Sequence, residues 1–126
     1  MTEVKITIND ECLKIYNEMK DKHKYGYSIF KFSDDFKYLI VDKTASPEKT
    51  YDDFLNDLPP NDIRIALLDS SLIRRYPLSS NVYYIYWVPD TVPIRVKMFA
   101  VYAIHIIKSV FTAAISDVGL QAEIYI

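Results

Sequence analysis

Three side chains suited to recognising a partner surface, Arg95, Lys97 and Met98, follow one another closely in the sequence. Pro93 precedes them at a position that fits the first turn of a helix, where proline is tolerated, so we expect a helix to hold them on rigid backbone. A guanidinium and an ammonium pair with carboxylates, and a thioether adapts to irregular apolar surfaces. The sequence therefore predicts a recognition helix. The alternatives are a solvated charged face and, for Met98, packing in the core.

The residues before this helix predict a sharp start. Pro89 ends the preceding strand, because a proline has no N–H to donate to a sheet. Asp90 or Thr91 is expected to cap the helix by accepting hydrogen bonds from the free N–H groups of its first turn. The helix is predicted to run from Pro93 to about Phe111.

No residue pattern in the chain predicts catalysis. Asp52 and Asp53 could serve as paired carboxylates, but their place at the start of a short helix explains them through the helix dipole. His105 is expected to be a partly buried helix residue rather than a base, and His23 lies far from it in the sequence. No Cys/His cluster has the spacing of metal ligands, so we predict neither an enzyme, nor a metal site, nor a cofactor.

The composition is that of an ordinary globular domain. The chain has 126 residues, of which half are apolar and a quarter charged, and its formal net charge is -2. Such a balance gives no field that would attract nucleic acid. The single cysteine, Cys12, excludes an internal disulfide and suits a reducing compartment, and the first residues lack the apolar core of a signal peptide. One domain over residues 1–126 is expected.

Alternating and helical apolar patterns predict an α/β fold in the order α-β-β-α-β-β-α-β. That order implies a central mixed sheet of about five strands flanked by helices on both faces. A tight turn at Ser33–Asp35 joins the first two strands into a hairpin, and Thr50 with Asp53 forms a short capping box. The predicted elements are an extended start at 4–8, helices at about 10–22, after Thr50 and from Pro93, and strands at 27–32, 37–44, 63–68, 82–88 and 120–126.

The strand at 82–88 is apolar or aromatic at every position, which predicts a central strand covered on both faces. The following helix carries an apolar run from Met98 to Ile107 that is too short to span a bilayer. The run indicates either a wide buried face or an exposed apolar patch that binds a partner. One stripe of the helix is shared by Lys97, Val101, His105, Lys108 and Thr112.

Several segments, in matching order and spacing, resemble the ADF/cofilin family of actin-depolymerising proteins. The resemblance covers roughly residues 4 to 111. The segments that carry it are Ile8–Glu11 at the first helix, Tyr27–Phe32 as the first strand, Thr50–Pro59 as the second helix, and Trp87–Thr91 followed by Ile94–Met98 as the main binding helix.

The resemblance implies the ADF-homology fold and binding of actin. Arg95 and Lys97 match the basic pair that meets the acidic surface of actin, and Met98 matches the apolar contact that enters the cleft between actin subdomains. Residues 4–8 correspond to the extended arm beside this helix. The monomer-binding residues predicted in this way are Val4, Lys5, Ile6, Arg95, Lys97, Met98, Val101, His105 and Lys108.

The chain also departs from the family in ways that concern actin filaments. The family carries basic residues at the positions of Ser79 and Asn81, and the upstream Arg74 and Arg75 are the expected substitutes for filament contact. Family members continue into a C-terminal helix that touches filaments, and we do not expect that helix here. The departures imply monomer binding with weak or absent severing. The regulatory serine of the family is missing too, and we predict no phosphoregulation at Thr2.

Two alternative functions remain open. The domain could be an interaction module that binds an actin-related complex or another partner through its apolar helix. It could also be a phosphoinositide-responsive protein of the membrane surface, with Arg95, Lys97 and Lys108 at the lipid headgroup. A monomeric protein of the cytoplasm and cytoskeleton, without a transmembrane segment, is expected.

Overall fold

The computed structural model describes residues 5–72 and 82–114. Within these ranges the helices are α1 Asp10–Lys22, α2 Tyr51–Asn56 and α3 Ile94–Ala114, and a 3₁₀ turn spans Ser70–Leu72. The strands are β1 Thr7–Ile8, β2 Tyr27–Phe32, β3 Tyr38–Ala45, β4 Arg64–Asp69 and β5 Val82–Trp87. The last predicted strand, at 120–126, lies outside the described residues.

The described strands form one mixed sheet in the order β1-β3-β2-β4-β5. β1 runs parallel to β3, and the other neighbouring pairs are antiparallel. The predicted hairpin is confirmed as β2–β3. The predicted α/β class and five-stranded mixed sheet are confirmed as well.

A network of hydrogen bonds closes the turn between β2 and β3. Ser33 Oγ donates to Asp35 Oδ1 at 2.6 Å and accepts the N–H of Tyr38 at 3.0 Å, while Asp35 Oδ1 also accepts the N–H of Lys37 at 3.1 Å. The Ser33 hydroxyl, followed by the Lys37 N–H, holds the pKa of the Asp35 carboxyl below its usual range. The turn places Phe36 in the left-handed region, with φ at 59°.

Helices cover both faces of the sheet, as the sequence predicts. α1 and α3 pack on one face in an apolar cluster that includes Tyr16, Phe30, Tyr84, Ile104 and Phe111. α2 and the residues after it pack on the other face in a second cluster that includes Tyr27, Ile29, Phe54, Leu58, Tyr83 and Ile85. Because side chains alternate along a strand, successive residues of β5 enter the two clusters in turn.

The burial of β5 confirms one part of its prediction. Residues 82–86 are buried, so the predicted coverage of both faces is confirmed. Among the described strands β5 pairs with β4 and lies at the end of the strand order. The strand predicted at 120–126 lies outside the described residues, so a central place for β5 in the sheet stays a prediction. Burial on both faces comes from the helices above and below the strand. It therefore does not depend on which strands lie beside β5.

The start of α3 corrects the prediction of its capping residue. The first helical residue is Ile94, and the carbonyl of Pro93 accepts the N–H of Lys97 at 3.1 Å. The N-cap position therefore belongs to Pro93 and not to Asp90 or Thr91, because the residue before the first helical one accepts the first intrahelical bond.

Candidate partner-binding surface

α3 presents a row of large apolar side chains to solvent. The exposed fractions are 70% for Ile94, 60% for Met98, 59% for Val101 and 56% for Tyr102. We call these four residues the apolar row. Met98 lies four residues from both Ile94 and Tyr102 and three from Val101, so the four share one side of the helix. Exposure of Met98 decides between the two interpretations of its side chain: it lies on the surface and not in the core.

The opposite face of α3 is buried. Ala100, Ala103, Ile104 and Ile107 are at most 4% exposed and pack toward the sheet. The apolar run from Met98 to Ile107 is thus core on one side and an exposed patch on the other. Exposed apolar side chains that are contiguous in this way mark interaction surfaces.

Two cations flank the apolar row. The Arg95 side chain is exposed and the Lys97 side chain is half-buried. Neither makes an ion pair with another residue in the described part of the chain. Lys108, which is also half-buried, lies about 20 Å from Arg95 and about 17 Å from Lys97 along the helix axis, at 1.5 Å per residue. Arg95 and Lys97 are therefore the cations that share the first turns of α3 with Met98.

Three hydrogen bonds fix the position of α3 and of the segment that leads into it. The hydroxyl of Tyr84 on β5 donates to the carbonyl of Ile104 at 2.8 Å. Before the helix, Trp87 Nε1 donates to the carbonyl of Pro59 at 2.6 Å, and Thr91 Oγ1 donates to the next carbonyl, that of Pro60, at 3.1 Å. The apolar row consequently lies on an anchored helix rather than on a loop, which lowers the entropy lost when a partner binds.

A shallow cavity of about 300 Å³ runs beside the apolar row, between α3 and the end of β5. Its charged and polar lining comes from Asp90, Lys97 and His105, and Val101 of the apolar row forms part of its apolar wall. His105 is exposed, which corrects the prediction of a partly buried side chain. A carboxylate, an ammonium and an imidazole around an apolar wall can hold a polar side chain of a partner.

A second, more apolar cavity of about 350 Å³ lies on the other side of α3, between Phe36, Arg95, Val96 and Phe99. Sequence reasoning missed Phe36, and it missed Ile94 and Tyr102 of the apolar row. The last two could have been found, because they lie four residues before and after Met98 and therefore share its helix face.

Only some of the other predicted contact residues lie in the described ranges. Lys5 is exposed, and Ile6 is half-buried against the same apolar cluster as Val96 and Phe99 of α3. Val4 lies outside the described residues. So do Thr2 and the four predicted filament contacts, which are Arg74, Arg75, Ser79 and Asn81.

The described residues hold no arrangement typical of catalysis. The Asp53 carboxylate accepts the Thr50 N–H at 2.8 Å and the Thr50 hydroxyl accepts the Asp53 N–H at 3.2 Å, which confirms the capping box. The backbone N–H of Thr50, followed by its hydroxyl, lowers the pKa of the Asp53 carboxyl. Among the residues described, no group of three or more His, Cys, Asp or Glu side chains could hold a metal ion. Nor is any helix in these ranges both long and apolar enough to cross a membrane.

The sequence is similar to those of known proteins. The sequence profile of a family described as cofilin/tropomyosin-type actin-binding protein matches residues 5–123. The chain is 37% identical over 121 residues to actophorin of Entamoeba histolytica, covering 94% of this chain and 82% of that protein. It is 32% identical over 119 residues to cofilin-1A of Dictyostelium discoideum, with the same two coverages of 94% and 82%.

The fold is also similar to solved structures. The crystal structure of cofilin from Streptomyces griseoflavus superposes with a TM-score of 0.74 at 27% sequence identity, covering 95% of this chain and 84% of that one. The match spans the sheet and the helices that cover it, so the sequence and the architecture lead to the same group of proteins.

Proposed function

Because the chain belongs to the ADF/cofilin family of actin-binding proteins, we propose that it binds actin monomers through the exposed face of α3. Membership confirms the resemblance seen in the sequence. It also confirms the prediction of a non-enzymatic function, since the proteins of this family regulate actin by binding it.

The observation that carries the proposal is the combination of the apolar row with Arg95 and Lys97 on the first turns of one anchored helix. In binding, Met98 and its neighbours insert into an apolar cleft of the partner, and the two cations pair with acidic groups at its rim. Desolvated apolar anchors supply most of the affinity of such interfaces, while rim charges mainly set orientation and association rate. Val101, His105 and Lys108 continue the contact along the helix, and Lys5 and Ile6 contribute from the N-terminal arm.

Weak or absent severing of filaments is part of the proposal. Its support is the sequence between β4 and β5, where Ser79 and Asn81 are neutral and only Arg74 and Arg75 remain as cations. We expect little co-sedimentation of the protein with filaments. Strong pelleting with filament shortening, lost in the R74E/R75E variant, would overturn this part of the proposal alone. The proposal places the protein in the cytoplasm, at the actin cytoskeleton.

The experiment is a titration of purified monomeric actin with the wild-type chain and with R95E/K97E. We expect the double reversal to abolish binding, because it turns two attractive rim charges into repulsive ones. The matched control is K14E/K49E, which changes the net charge equally at exposed lysines of α1 and of the loop before α2. Equal losses in both variants would contradict the proposal.

The same preparations separate the two alternatives. Binding of wild-type protein to vesicles containing phosphoinositides, with no binding to actin, would favour the membrane-surface function, and that binding should weaken steeply with salt. Absence of both kinds of binding would leave the family fold with a different partner.

A further inference from the structure

Phe36 combines two features that the fold alone does not require. Its side chain is 40% exposed, and its backbone has a φ of 59°. A bulky residue other than glycine in the left-handed region is uncommon, because its Cβ crowds the following carbonyl. The hydrogen bonds of Ser33 and Asp35 hold the turn in this form, and the N–H of Phe36 itself donates to the carbonyl of Ser33 at 2.9 Å. The turn thus holds an exposed aromatic ring in one place.

That place is the side of α3. The Phe36 ring lies 4.9 Å from the ring of Phe99, centroid to centroid, in an edge-to-face arrangement. Phe32 of β2 completes the group, with its centroid 5.0 Å from that of Phe99 and 6.4 Å from that of Phe36. Aromatic pairs at these distances are mutually attractive. The three rings, which we call the aromatic triad, therefore couple the tip of the hairpin to the first half of the helix.

The aromatic triad leaves a cavity open to solvent. Phe36, Val96 and Phe99 form its apolar walls, and the guanidinium-bearing side chain of Arg95 completes the lining. The volume of about 350 Å³ has room for a large apolar side chain. An anionic group beside that side chain would meet Arg95, which makes no ion pair with any residue in the described ranges.

We propose that the actin-binding surface extends beyond α3 onto the β2–β3 turn, and that the cavity at Phe36 receives an apolar side chain of actin whose acidic neighbour pairs with Arg95. The inference rests on the proposed function, because its occupant is the same actin molecule that contacts the apolar row. The cavity is continuous with the surface on α3, because Arg95 belongs both to the cation pair next to Met98 and to the wall of this cavity. A partner seated on α3 at Arg95 therefore meets Phe36 as well.

Phe36→Gly removes the ring in a way that the backbone accepts, since glycine adopts positive φ without steric cost. We expect its affinity for monomeric actin to fall about tenfold, the size of loss typical of a buried aromatic contact. Phe36→Tyr keeps the ring, so its affinity should stay within about twofold of that of the wild type. Thermal unfolding of each variant checks that the fold is kept. If Phe36→Gly does not fold, Phe36→Asn replaces it, because asparagine also tolerates the left-handed region.

Double-mutant cycles distinguish a direct contact between actin and Phe36 from a general effect of the Phe36 substitution on α3. Arg95 lines the cavity at Phe36, whereas Lys97 lines the cavity on the other side of the helix. We expect Phe36→Gly to be non-additive with Arg95→Ala and additive with Lys97→Ala, because shared contacts couple and separate ones do not. Additivity with both would overturn the proposed pairing at Arg95.

The outcomes separate this inference from the function on which it rests. If R95E/K97E loses actin binding and Phe36→Gly binds as wild type does, the extension to the turn is wrong and the function stands. If wild-type protein does not bind monomeric actin, or R95E/K97E binds as tightly as wild type, the function fails and the inference with it. Both the function and its extension to the turn are supported if Phe36→Gly loses affinity for actin, Phe36→Tyr keeps it, and R95E/K97E does not bind.

Discussion

At the scale of single residues, burial separates the charges that hold the fold from those available to a partner. The Asp69 side chain is 6% exposed, and its two oxygens accept from His23 Nδ1 at 2.9 Å and from the N–H of Ser71 at 2.9 Å. His23 also ends α1 in a left-handed conformation with φ at 50°. A buried carboxylate needs its hydrogen-bond partners, so this pair is structural.

Replacing His23 with alanine should destabilise the protein by about 1–3 kcal/mol, the usual cost of leaving a buried polar group without one of its partners. The measurement is the free energy of unfolding from a urea titration. His105→Ala is the matched control, because His105 is exposed on α3, and it should change stability by less than about 0.5 kcal/mol. Equal stability of His23→Ala and wild type would show that Asp69 does not depend on the imidazole.

Cys12 is another buried group with a measurable consequence. Burial, with a smaller effect from the neighbouring Glu11 carboxylate, raises the pKa of its thiol from 9.0 to about 12. The Sγ atom lies 3.5 Å from the carbonyl oxygen of Leu39, to which it donates. Such a thiol stays protonated in the folded chain at pH values where the unfolded chain has lost the proton.

Stability should therefore fall as pH rises from about 9 toward 12, since unfolding releases a proton over that range and each unit costs about 1.4 kcal/mol per proton. Cys12→Ala should flatten this part of the stability–pH curve. Some slope will remain, because burial and the Asp57 carboxylate also raise the pKa of Tyr27. An unchanged slope in Cys12→Ala, measured by urea unfolding at several pH values, would contradict the assignment to the thiol.

At the scale of elements, the capping box stabilises a helix that is too short to form alone. α2 has six residues, so its first turn depends on the reciprocal bonds between Thr50 and Asp53. Thr50→Ala should lower the free energy of unfolding by about 0.5–2 kcal/mol, as is typical for loss of an N-cap hydroxyl. Thr50→Ser keeps the hydroxyl and should retain most of that stability. Equal losses in the two variants, measured by urea unfolding, would mean that the hydroxyl is not the stabilising group.

Sequence patterns predicted the elements well where local chemistry sets them. The bounds of β2 at Tyr27–Phe32 and the capping box at Thr50 follow from local residue types, and both are confirmed. The place of β5 could not be read in this way, because an apolar run reports cover on both faces and says nothing about which strands lie beside it. The predicted caps of α3 were wrong because its first intrahelical bond begins at the carbonyl of Pro93, which follows both Asp90 and Thr91. The Thr91 hydroxyl donates to the carbonyl of Pro60, a contact distant in the sequence that local patterns do not show.

The candidate surface was predictable only in part, for a similar reason. Arg95, Lys97 and Met98 followed from spacing and from the resemblance to a family. Phe36 could not be found, because the residues of its turn predict a reversal of the chain but not which residue takes positive φ. Its contact with Phe99 joins segments that are far apart in the sequence, and only the packed fold brings them together.

At the scale of the whole molecule, the surface charge of α3 contrasts with the rest of the chain. The formal net charge is -2, so the chain as a whole has no field that attracts an acidic partner. Under the proposed function, we expect the local cations Arg95 and Lys97 to steer association. Raising the ionic strength from about 50 mM to about 300 mM should slow association of the wild-type chain with actin severalfold. The rate for R95A/K97A should be slower and nearly insensitive to salt.

Dissociation should depend on the apolar row instead. Met98→Ala is expected to speed dissociation while leaving the salt dependence of association unchanged, because apolar anchors act mainly on complex lifetime. Stopped-flow measurement of both rates checks this division. A salt dependence that persists in R95A/K97A would place the steering charges elsewhere on the molecule.

The most direct test of the central claim is a photo-crosslinking side chain introduced at position 98. A matched variant carries the same group at position 49, where Lys49 is exposed in the loop before α2. If the exposed face of α3 binds actin, illumination with monomeric actin will give a one-to-one crosslinked product from position 98 and none from position 49. A crosslink from position 49 with none from position 98 would contradict the account, because actin would then contact the α2 side of the molecule.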